Sequence, residues 1–269
     1  MGEDRRERLL EHLRSREGAS VEELADLLGV SKMTVHRDLD RLADNRLIRK
    51  IRGGATLQPS VVFESEVGYR RRQNRSEKEA LAARVAELVE PGMALILDDS
   101  TTTGSIIPFI LNRTPLTIVT NAVPLINSLS RQDGITLISL GGRYDPIADA
   151  FFGIGCETSA GRIRADLGIF STAAVHGASA FLHDQDIARA KLAMMASSDR
   201  RVIAFDRSKF GKSALNLFTP LAAFDHVFIP DTTEASLIAV LEREKVKVEL
   251  VPMTAPERPA NSILEGTFR

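Results

Sequence analysis

Apolar residues recur at helical spacing in three short segments near the start of the chain. The segments are residues 5–14, 21–28 and 32–44, and Gly18 and Gly29 separate them. Apolar side chains repeating every three or four positions form one face of an amphipathic helix. The pattern therefore predicts three short helices, with a tight turn between the second and the third.

Local capping signals support the second and third predicted helices. Ser20 and Glu23 have the spacing of a capping box, in which each side chain accepts a hydrogen bond from the other residue's backbone N–H. Gly29 can adopt the left-handed conformation that ends many helices, and Ser31 is a good N-cap for the third helix. The two helices are thus predicted to end and begin on either side of residues 29–31.

The third predicted helix and the segment after it carry basic side chains. Val35, Leu39 and Leu42 make one side of this helix apolar, and residues 47–57 have the pattern of two strands joined by a Gly-Gly turn. A tight helical pair followed by a basic hairpin is typical of a winged helix-turn-helix that binds duplex DNA. Five residues are expected to reach bases or the phosphates beside them: Lys32, Met33, Thr34, His36 and Arg37. Four more are expected to contact phosphates: Arg41, Arg49, Lys50 and Arg52.

The rest of the chain alternates apolar runs of strand length with helical stretches. The seven runs lie at 93–97, 116–120, 135–140, 167–171, 202–205, 227–229 and 246–251. Near-continuous apolar strands separated by helices predict an α/β domain with a mostly parallel sheet that is covered on both faces. We expect domains at 1–57 and 77–251, a linker at 58–76 and a mobile tail at 252–269.

Polar and glycine residues follow several of the predicted strands. Ligands of parallel α/β sheets bind at the carboxyl ends of strands, and hydroxyls, backbone N–H groups and basic side chains suit a phosphate. A helix is expected to begin near Ser105, with Pro108 in its first turn, where a missing N–H costs little. The predicted effector-binding residues are Asp98, Ser100, Thr101, Thr102, Asn121, Gly141, Gly142, Arg143, Lys191 and Lys209.

Composition and charge narrow the classes of function. The 269 residues carry a formal net charge of -1, yet residues 31–75 hold six more basic than acidic side chains, which favours a polyanionic partner there. The single cysteine, Cys156, excludes an internal disulfide, and no histidine pair has metal-ligand spacing, so we expect no metal and no cofactor. The sequence shows no secretory signal and no apolar run long enough to span a membrane, which predicts a cytoplasmic protein without a membrane partner.

Both predicted domains resemble the DeoR-type bacterial transcription regulators. The resemblance is carried by residues 23–25, VSKMTVHRDLDRL at 30–42, IRGGA at 51–55, LDDSTT at 97–102, residues 119–121, 140–142 and 152–153, ARAKLAMM at 188–195 and DRSKFG at 206–211. The chain departs from the family's pattern at His36, where many members have Arg, at Ser100, at Ile187 and at residues 173–177.

The resemblance implies a repressor of a carbohydrate-metabolism operon. In that family a winged helix-turn-helix binds operator DNA, and a sensor domain similar to ribose-5-phosphate isomerase and CoA transferases binds a phosphorylated sugar or related metabolite. Because operators usually carry two half-sites, a homo-oligomer, dimer or tetramer, is expected.

Two other functions remain open at this point. One is a sugar-phosphate isomerase or transferase-like enzyme, for which Asp98, Asp99, Asp206, Lys191 and Lys209 are the candidate acid and base groups. The other is a DNA-binding scaffold without a small-molecule effector. An attached DNA-binding domain is hard to explain in a plain enzyme, and the polar residues that follow several of the predicted strands are hard to explain in a scaffold.

Overall fold

The chain forms two compact units, Met1–Glu66 and Val67–Arg269, in a computed structural model. The structure describes residues 2–14, 18–44, 48–57 and 67–254. Most of the predicted tail, at 255–269, and the first half of the predicted linker, at 58–66, lie outside the described residues. The second half of that linker is largely helical and belongs to the second unit.

Three helices and a small antiparallel sheet make up the first unit. Its elements are α1 Gly2–Arg14, β1 Ala19–Ser20, α2 Val21–Leu28, α3 Lys32–Asp44, β2 Ile48–Ile51 and β3 Gly54–Leu57. The strands are ordered β1-β3-β2, so the hairpin that the sequence predicts is extended by a third short strand. The core side chains come from every helix and from the hairpin, and include Leu9, Leu13, Leu24, Val35, Leu39, Leu42, Ile48 and Ala55.

The predicted caps around the second and third helices are confirmed. Glu23 N donates to Ser20 Oγ at 3.1 Å, and Ser20 N donates to Glu23 Oε2 at 3.4 Å. Gly29 ends α2 in the left-handed region at φ 64°. At the start of α3, Thr34 N donates to Ser31 Oγ at 3.2 Å. Gly29 and the Ser31 cap lie between α2 and α3 and end one helix and begin the other.

The strand β1, which the sequence did not predict, explains one glycine of the wing. Ser20 pairs with Gly54 across β1 and β3, and a side-chain carbon built at Gly54 would lie 2.2 Å from the Ala19 carbonyl oxygen. Only glycine lets the two backbones come this close. The Gly-Gly pair therefore serves both the turn of the hairpin and the strand that fixes the hairpin to the helices.

A seven-stranded parallel sheet forms the centre of the second unit. Its elements are α4 Val67–Arg72, α5 Arg75–Ala86, β4 Ala94–Leu97, α6 Thr101–Gly104, α7 Ile107–Ile110, β5 Leu116–Thr120, α8 Val123–Leu129, β6 Ile135–Ser139, β7 Arg143–Asp145, β8 Ala150–Phe152, α9 Ile154–Ala160, β9 Ala165–Phe170, β10 Ala174–His176, β11 Ser179–Leu182, α10 Gln185–Ala196, β12 Ser198–Ala204, β13 Asn216–Pro220, β14 His226–Pro230, α11 Ala235–Arg243 and β15 Val248–Val251. The strand order is β15-β14-β12-β9-β4-β5-β6, and every neighbouring pair is parallel. All seven predicted strand runs are confirmed as the strands of this sheet.

The sheet separates two hydrophobic cores. In β4, Leu95 and Leu97 pack into one core and Ile96 into the other, as the alternation of side chains along a strand requires. Both faces are therefore covered, which is why these strands appear in the sequence as continuous apolar runs.

Two parts of the second unit differ from the sequence prediction. The helix expected near Ser105 is instead two short helices, since α6 begins at Thr101 directly after the extended Ser100, and α7 begins at Ile107 with Pro108 in its first turn. The smaller strands β7, β8, β10, β11 and β13 were not predicted. They form a two-stranded hairpin and a separate three-stranded sheet, and strands of three to five residues give too short an alternation to recognise.

Candidate DNA-binding face and sensor site

The exposed side of α3 carries the side chains that the sequence assigns to DNA. Lys32, His36, Arg37 and Arg41 are exposed, and Met33 retains 70% of its surface although it is apolar. Thr34 is half-buried beside the N-cap. The first turns of α3 thus present basic, polar and methyl groups together, which is the mixture that contacts base edges and phosphates in a major groove.

A buried carboxylate anchors the opposite side of α3. Asp38 is 2% exposed and accepts hydrogen bonds from Arg5 Nε at 2.6 Å and Arg5 Nη2 at 3.2 Å. Asp38 thus pairs with an arginine of α1 on the buried side of α3. The hydrogen bond to Asp38 raises the pKa of the Arg5 guanidinium. The bond between α1 and α3 fixes the rotation of α3 about its own axis.

Two exposed ion pairs occupy lysines of the proposed DNA-binding face. Lys32 pairs with Glu22 of α2, and Lys50 of the wing pairs with Asp40 of α3. Hydrogen bonds from these lysines hold the pKa values of Glu22 and Asp40 below their ordinary range. Exposed pairs of this kind contribute little stability, so a phosphate can replace the carboxylate at small cost.

The remaining predicted contacts lie in the wing. Arg52 is exposed at the turn between β2 and β3. Arg49 lies in β2, and its side chain falls outside the described residues. Arg52 thus lies at the end of the hairpin that a wing presents to the nucleic acid.

In the second unit, Asp98 and Lys191 form a buried ion pair at the carboxyl end of β4. Lys191 Nζ, on α10, lies 2.7 Å from Asp98 Oδ2, and it also donates to Ser100 Oγ at 2.8 Å and to the Ser171 carbonyl at 3.1 Å. Asp98 and Lys191 are 0% and 2% exposed. An ammonium group has three hydrogens, so these three protein acceptors use all of them. Lys191 therefore holds the loop after β4 in place.

Several buried acceptors at the same end of the sheet carry no hydrogen bond. Within the described residues, no donor reaches Asp99 Oδ1, Asn121 Oδ1 or Asp206 Oδ2, although all three residues are at least nine-tenths buried. Lys191 Nζ lies 3.5 Å from Asp99 Oδ1, which is too far for a strong bond. Asn121 is oriented by its amide, which donates to the Phe151 carbonyl at 2.9 Å. Buried acceptors of this kind are costly to leave unbonded, so they fit a ligand or ordered water that donates hydrogen bonds.

The loop after β12 brings a third carboxylate, that of Asp206, to this end of the sheet. Asp206 Oδ1 accepts from Asn74 Nδ2 at 2.6 Å and from Ser208 N at 3.1 Å. Burial alone would raise the pKa of Asp206, but Lys209, Ser208, Lys78 and Asn74 together hold it below its usual value. Asp206 therefore remains ionised, and Lys209 lies near enough to act on its charge.

Gly142, the second of the two glycines after β6, lies against strand β8 of the hairpin that β7 and β8 form. Gly142 has φ 140°, and a side-chain carbon there would lie 2.5 Å from the Phe152 carbonyl oxygen. Arg143 extends to the surface, where its guanidinium bonds to Asp186 Oδ2 at 2.9 Å. Gly142 thus allows a close backbone approach, while the cation of Arg143 is held by a carboxylate of α10.

The structure brings some predicted residues into direct contact and leaves others apart. Asp98, Ser100 and Lys191 form one bonded group. Thr101 is bonded to residues that the sequence did not single out: Lys78 Nζ donates to Thr101 Oγ1 at 3.1 Å and also to the Arg70 carbonyl. The same end of the sheet also carries Asn121, Gly141, Gly142, Arg143 and Lys209. Asn121 bonds to the Phe151 carbonyl, and Arg143 bonds to Asp186.

Lys78 is the principal residue that sequence reasoning missed. It is 2% exposed, and burial lowers the pKa of its ammonium group to about 7 against the attraction of Asp206. A signal was available, because Lys78 lies three, four and seven positions before Leu81, Ala82 and Val85, on the apolar face of α5. A lysine inside such a stripe is buried when the helix packs.

Family models match both units of the chain. The DeoR-like helix-turn-helix domain matches residues 5–61, and the DeoR C terminal sensor domain matches residues 73–231. The chain belongs to the DeoR family of transcriptional regulators. The resemblance found in the sequence is thus confirmed, and the fold class with it.

Other members of the DeoR family are similar along most of their length. The chain is 32% identical over 231 residues to the HTH-type transcriptional regulator GlpR of Haloferax volcanii, covering 86% of this chain and 90% of that protein. It is 29% identical over 243 residues to the Glycerol-3-phosphate regulon repressor of Escherichia coli, covering 90% and 96%. It is 27% identical over 251 residues to the Transcriptional repressor AccR of Agrobacterium fabrum, covering 93% and 96%.

Solved structures resemble this DeoR-family chain only in part. Ribose 5-phosphate isomerase A of Methanocaldococcus jannaschii aligns with a TM-score of 0.38 and 16% identity, over 51% of this chain and 55% of that one. Translation initiation factor eIF-2B of Pyrococcus horikoshii aligns with a TM-score of 0.39 and 13% identity, over 75% and 67%.

Membrane-spanning helices and clusters of metal-ligating side chains are both absent from the described part of this DeoR-family chain. Among its helices, none has both the length and the apolar character needed to cross a lipid bilayer. No group of three or more His, Cys, Asp or Glu side chains in residues 2–14, 18–44, 48–57 and 67–254 has the geometry of a metal site.

Proposed function

We propose that the protein is a transcriptional repressor of a carbohydrate-metabolism operon, released from or held on its operator by a phosphorylated sugar or related metabolite. The observation that carries the proposal is the exposed basic side of α3, joined in one chain to a sensor unit with unbonded buried acceptors. The named functions of its relatives, a Glycerol-3-phosphate regulon repressor among them, support the same class of regulation.

The proposed DNA contacts follow from exposure and charge. Lys32, Met33, Thr34, His36 and Arg37 contact base edges or neighbouring phosphates in the major groove, and Arg41, Arg49, Lys50 and Arg52 contact phosphates. Contacts of the second kind give affinity that falls with salt and depends little on sequence, whereas the first kind gives specificity.

Within the proposed effector site, the residues divide into two groups. Asp98, Ser100 and Lys191 bond to one another and position the loop after β4. Seven residues contact the effector directly, through hydroxyl groups, a side-chain amide, backbone groups and basic side chains. They are Thr101, Thr102, Asn121, Gly141, Gly142, Arg143 and Lys209. Basic and hydroxyl groups bind the phosphate, and the unbonded acceptors bind hydroxyl groups of the metabolite.

We further infer a cytoplasmic homo-oligomer, a dimer or a tetramer, that does not transform its ligand. Operators with two half-sites require two DNA-binding units. The relatives of this chain are named as repressors and regulators, which supports binding of the ligand without turnover.

Two assays on the full-length protein test the proposal. In the first, duplexes that bind the protein are selected from a random pool, and their affinity is measured at about 0.1 M and about 0.2 M salt. We expect a sequence-selective complex whose affinity falls steeply as the salt concentration rises. The second follows thermal unfolding with a panel of phosphorylated sugars. A ligand at 100 times its dissociation constant adds about 2.7 kcal/mol to stability, whereas no shift with any compound favours a scaffold without effector. Turnover of ribose 5-phosphate would favour the enzyme instead.

A further inference from the structure

The first residues of the sensor unit are bonded to two of its strand-end loops. These residues, 67–78, comprise α4 and the start of α5, and are called the lead segment below. Asn74 Nδ2 donates to Asp206 Oδ1 at 2.6 Å, and Glu77 accepts from Arg207 Nε at 3.0 Å, both in the loop after β12. Lys78 Nζ donates to the hydroxyl of Thr101, the first residue of α6, where the loop after β4 ends.

The bonds around Lys78 form a closed triad with the backbone of α4. Lys78 Nζ donates to the Arg70 carbonyl and to Thr101 Oγ1, and the Thr101 hydroxyl lies 3.4 Å from the same Arg70 carbonyl. The Arg70 carbonyl of α4, the Lys78 ammonium group of α5 and the Thr101 hydroxyl of α6 thus contact one another. Lys78 is 2% exposed, so water competes little for these bonds.

The chemistry of the triad makes it sensitive to an anion at Thr101. A threonine hydroxyl has a single hydrogen, so it can donate either to the Arg70 carbonyl or to an oxygen of a bound ligand, but not to both. A charged phosphate oxygen is a stronger acceptor than a peptide carbonyl. Binding of a phosphate beside Thr101 therefore removes one of the bonds that hold the last turn of α4.

We propose that the Lys78–Thr101–Arg70 triad is the transmission element of the protein, through which occupancy of the sensor site loosens the lead segment. This inference rests on the proposed function, since it needs an anionic effector at the loop after β4. Along the chain, the lead segment is the first described part after residues 58–66, which connect it to the wing strand β3. Lys78 and Asn74 are positioning residues in this device, and neither contacts the effector.

Millisecond hydrogen exchange on the full-length protein, with and without saturating inorganic phosphate, tests the inference. In the wild type, phosphate should speed exchange of the amides of residues 67–72 by about threefold or more. Lys78→Met should bind phosphate with an affinity close to that of the wild type, while most of this response is lost. Arg84→Met, on the same helix as Lys78, removes ion pairs with Glu87 and with Glu249 of β15 and should retain both binding and response.

Further outcomes separate the inference from the function on which it rests. Asn74→Gly is a second variant that should fold, because Asn74 has φ 50° and glycine accepts that conformation without strain; it should also weaken the response. Two outcomes overturn the inference but leave the proposed function standing. In one, the wild type binds phosphate without faster exchange at residues 67–72; in the other, Lys78→Met shows the same increase in exchange as the wild type. Loss of phosphate binding in Lys78→Met makes Lys78 a ligand and also overturns it. Absence of saturable phosphate binding in the wild type overturns the anion site and the inference together.

Discussion

Lys191 Nζ lies 2.7 Å from Asp98 Oδ2, although the two residues are 93 positions apart in the chain. The bond joins α10 to the loop after β4, and both side chains are almost wholly buried. Removing one partner of a buried ion pair leaves an uncompensated charge, which costs far more than the intact pair contributes. The loop that carries Ser100 and Thr101 therefore depends on this pair for its conformation.

Lys191→Met should destabilise the second unit by about 3–5 kcal/mol, because Asp98 keeps its burial but loses its cation. Urea unfolding followed by circular dichroism measures the change. Arg164→Met is the control, since it removes an exposed pair with Asp199 and should cost less than about 1 kcal/mol. The double variant Lys191→Met, Asp98→Asn should lose less stability than the sum of the single variants. Equal, small losses for Lys191→Met and the control would contradict the account.

Arg37→Ala should weaken binding to a selected duplex by about 1–3 kcal/mol if Arg37 contacts a guanine. Its guanidinium is exposed on α3, so the substitution leaves the core of the first unit unchanged. Fluorescence anisotropy with the selected duplex and with a random duplex of equal length measures the two losses. Arg243→Ala, the same loss of charge in the second unit, should affect neither. A loss of the same size on both duplexes would make Arg37 a phosphate contact.

The stability of the second unit should rise with pH above neutrality because of Lys78. Burial lowers the pKa of Lys78 to about 7 in the folded protein, against an ordinary value of 10.5. At a pH between these two pKa values, Lys78 binds a proton more fully in the unfolded chain than in the folded protein. Raising the pH therefore favours the folded state, by up to about 1.4 kcal/mol per pH unit. Urea unfolding between about pH 7 and pH 9 measures the slope, and Lys78→Met should remove it. A slope that persists in this variant would assign the effect to another group.

Cys156 should be inert in the native protein. The residue is wholly buried, and burial raises the pKa of its thiol to about 11, so little thiolate exists near neutral pH. With a chromogenic disulfide reagent at about pH 8, the native protein should react about 100-fold more slowly than the protein unfolded in urea. Rapid reaction of the native protein would mean that α9 opens readily from the core.

The sequence predicts the parts of the fold that have long or regular patterns. The seven strands were found because each is an apolar run bounded by polar residues, and Ser20, Glu23 and Gly29 marked the helix ends by local chemistry. Contacts between distant residues were not predictable in this way. The family motif pointed to Lys191, but its three bonds come from Asp98, Ser100 and Ser171 on two other loops, and the role of Lys78 depends on a helix packing beside α4 and α6.

Two further segments, residues 173–177 and Arg143, also form contacts that the sequence pattern does not predict. Residues 173–177 differ from the motif, and in the structure they contribute to β10 of the three-stranded sheet, which periodicity did not reveal. Arg143 was predicted as an anion ligand from its place after two glycines. Its bond to Asp186 could not be foreseen, because Asp186 lies 43 positions later along the chain, in the helix Gln185–Ala196.

The most direct test of the account is the affinity of the full-length protein for its selected duplex, with and without the phosphorylated sugar that stabilises it most. We predict that this compound changes the dissociation constant by about tenfold or more, which corresponds to a coupling free energy of about 1.4 kcal/mol between the two units. The Lys78→Met variant should bind the duplex and the compound but show little of this change. An affinity for DNA that no stabilising compound alters would contradict the claim that this chain is a metabolite-responsive repressor.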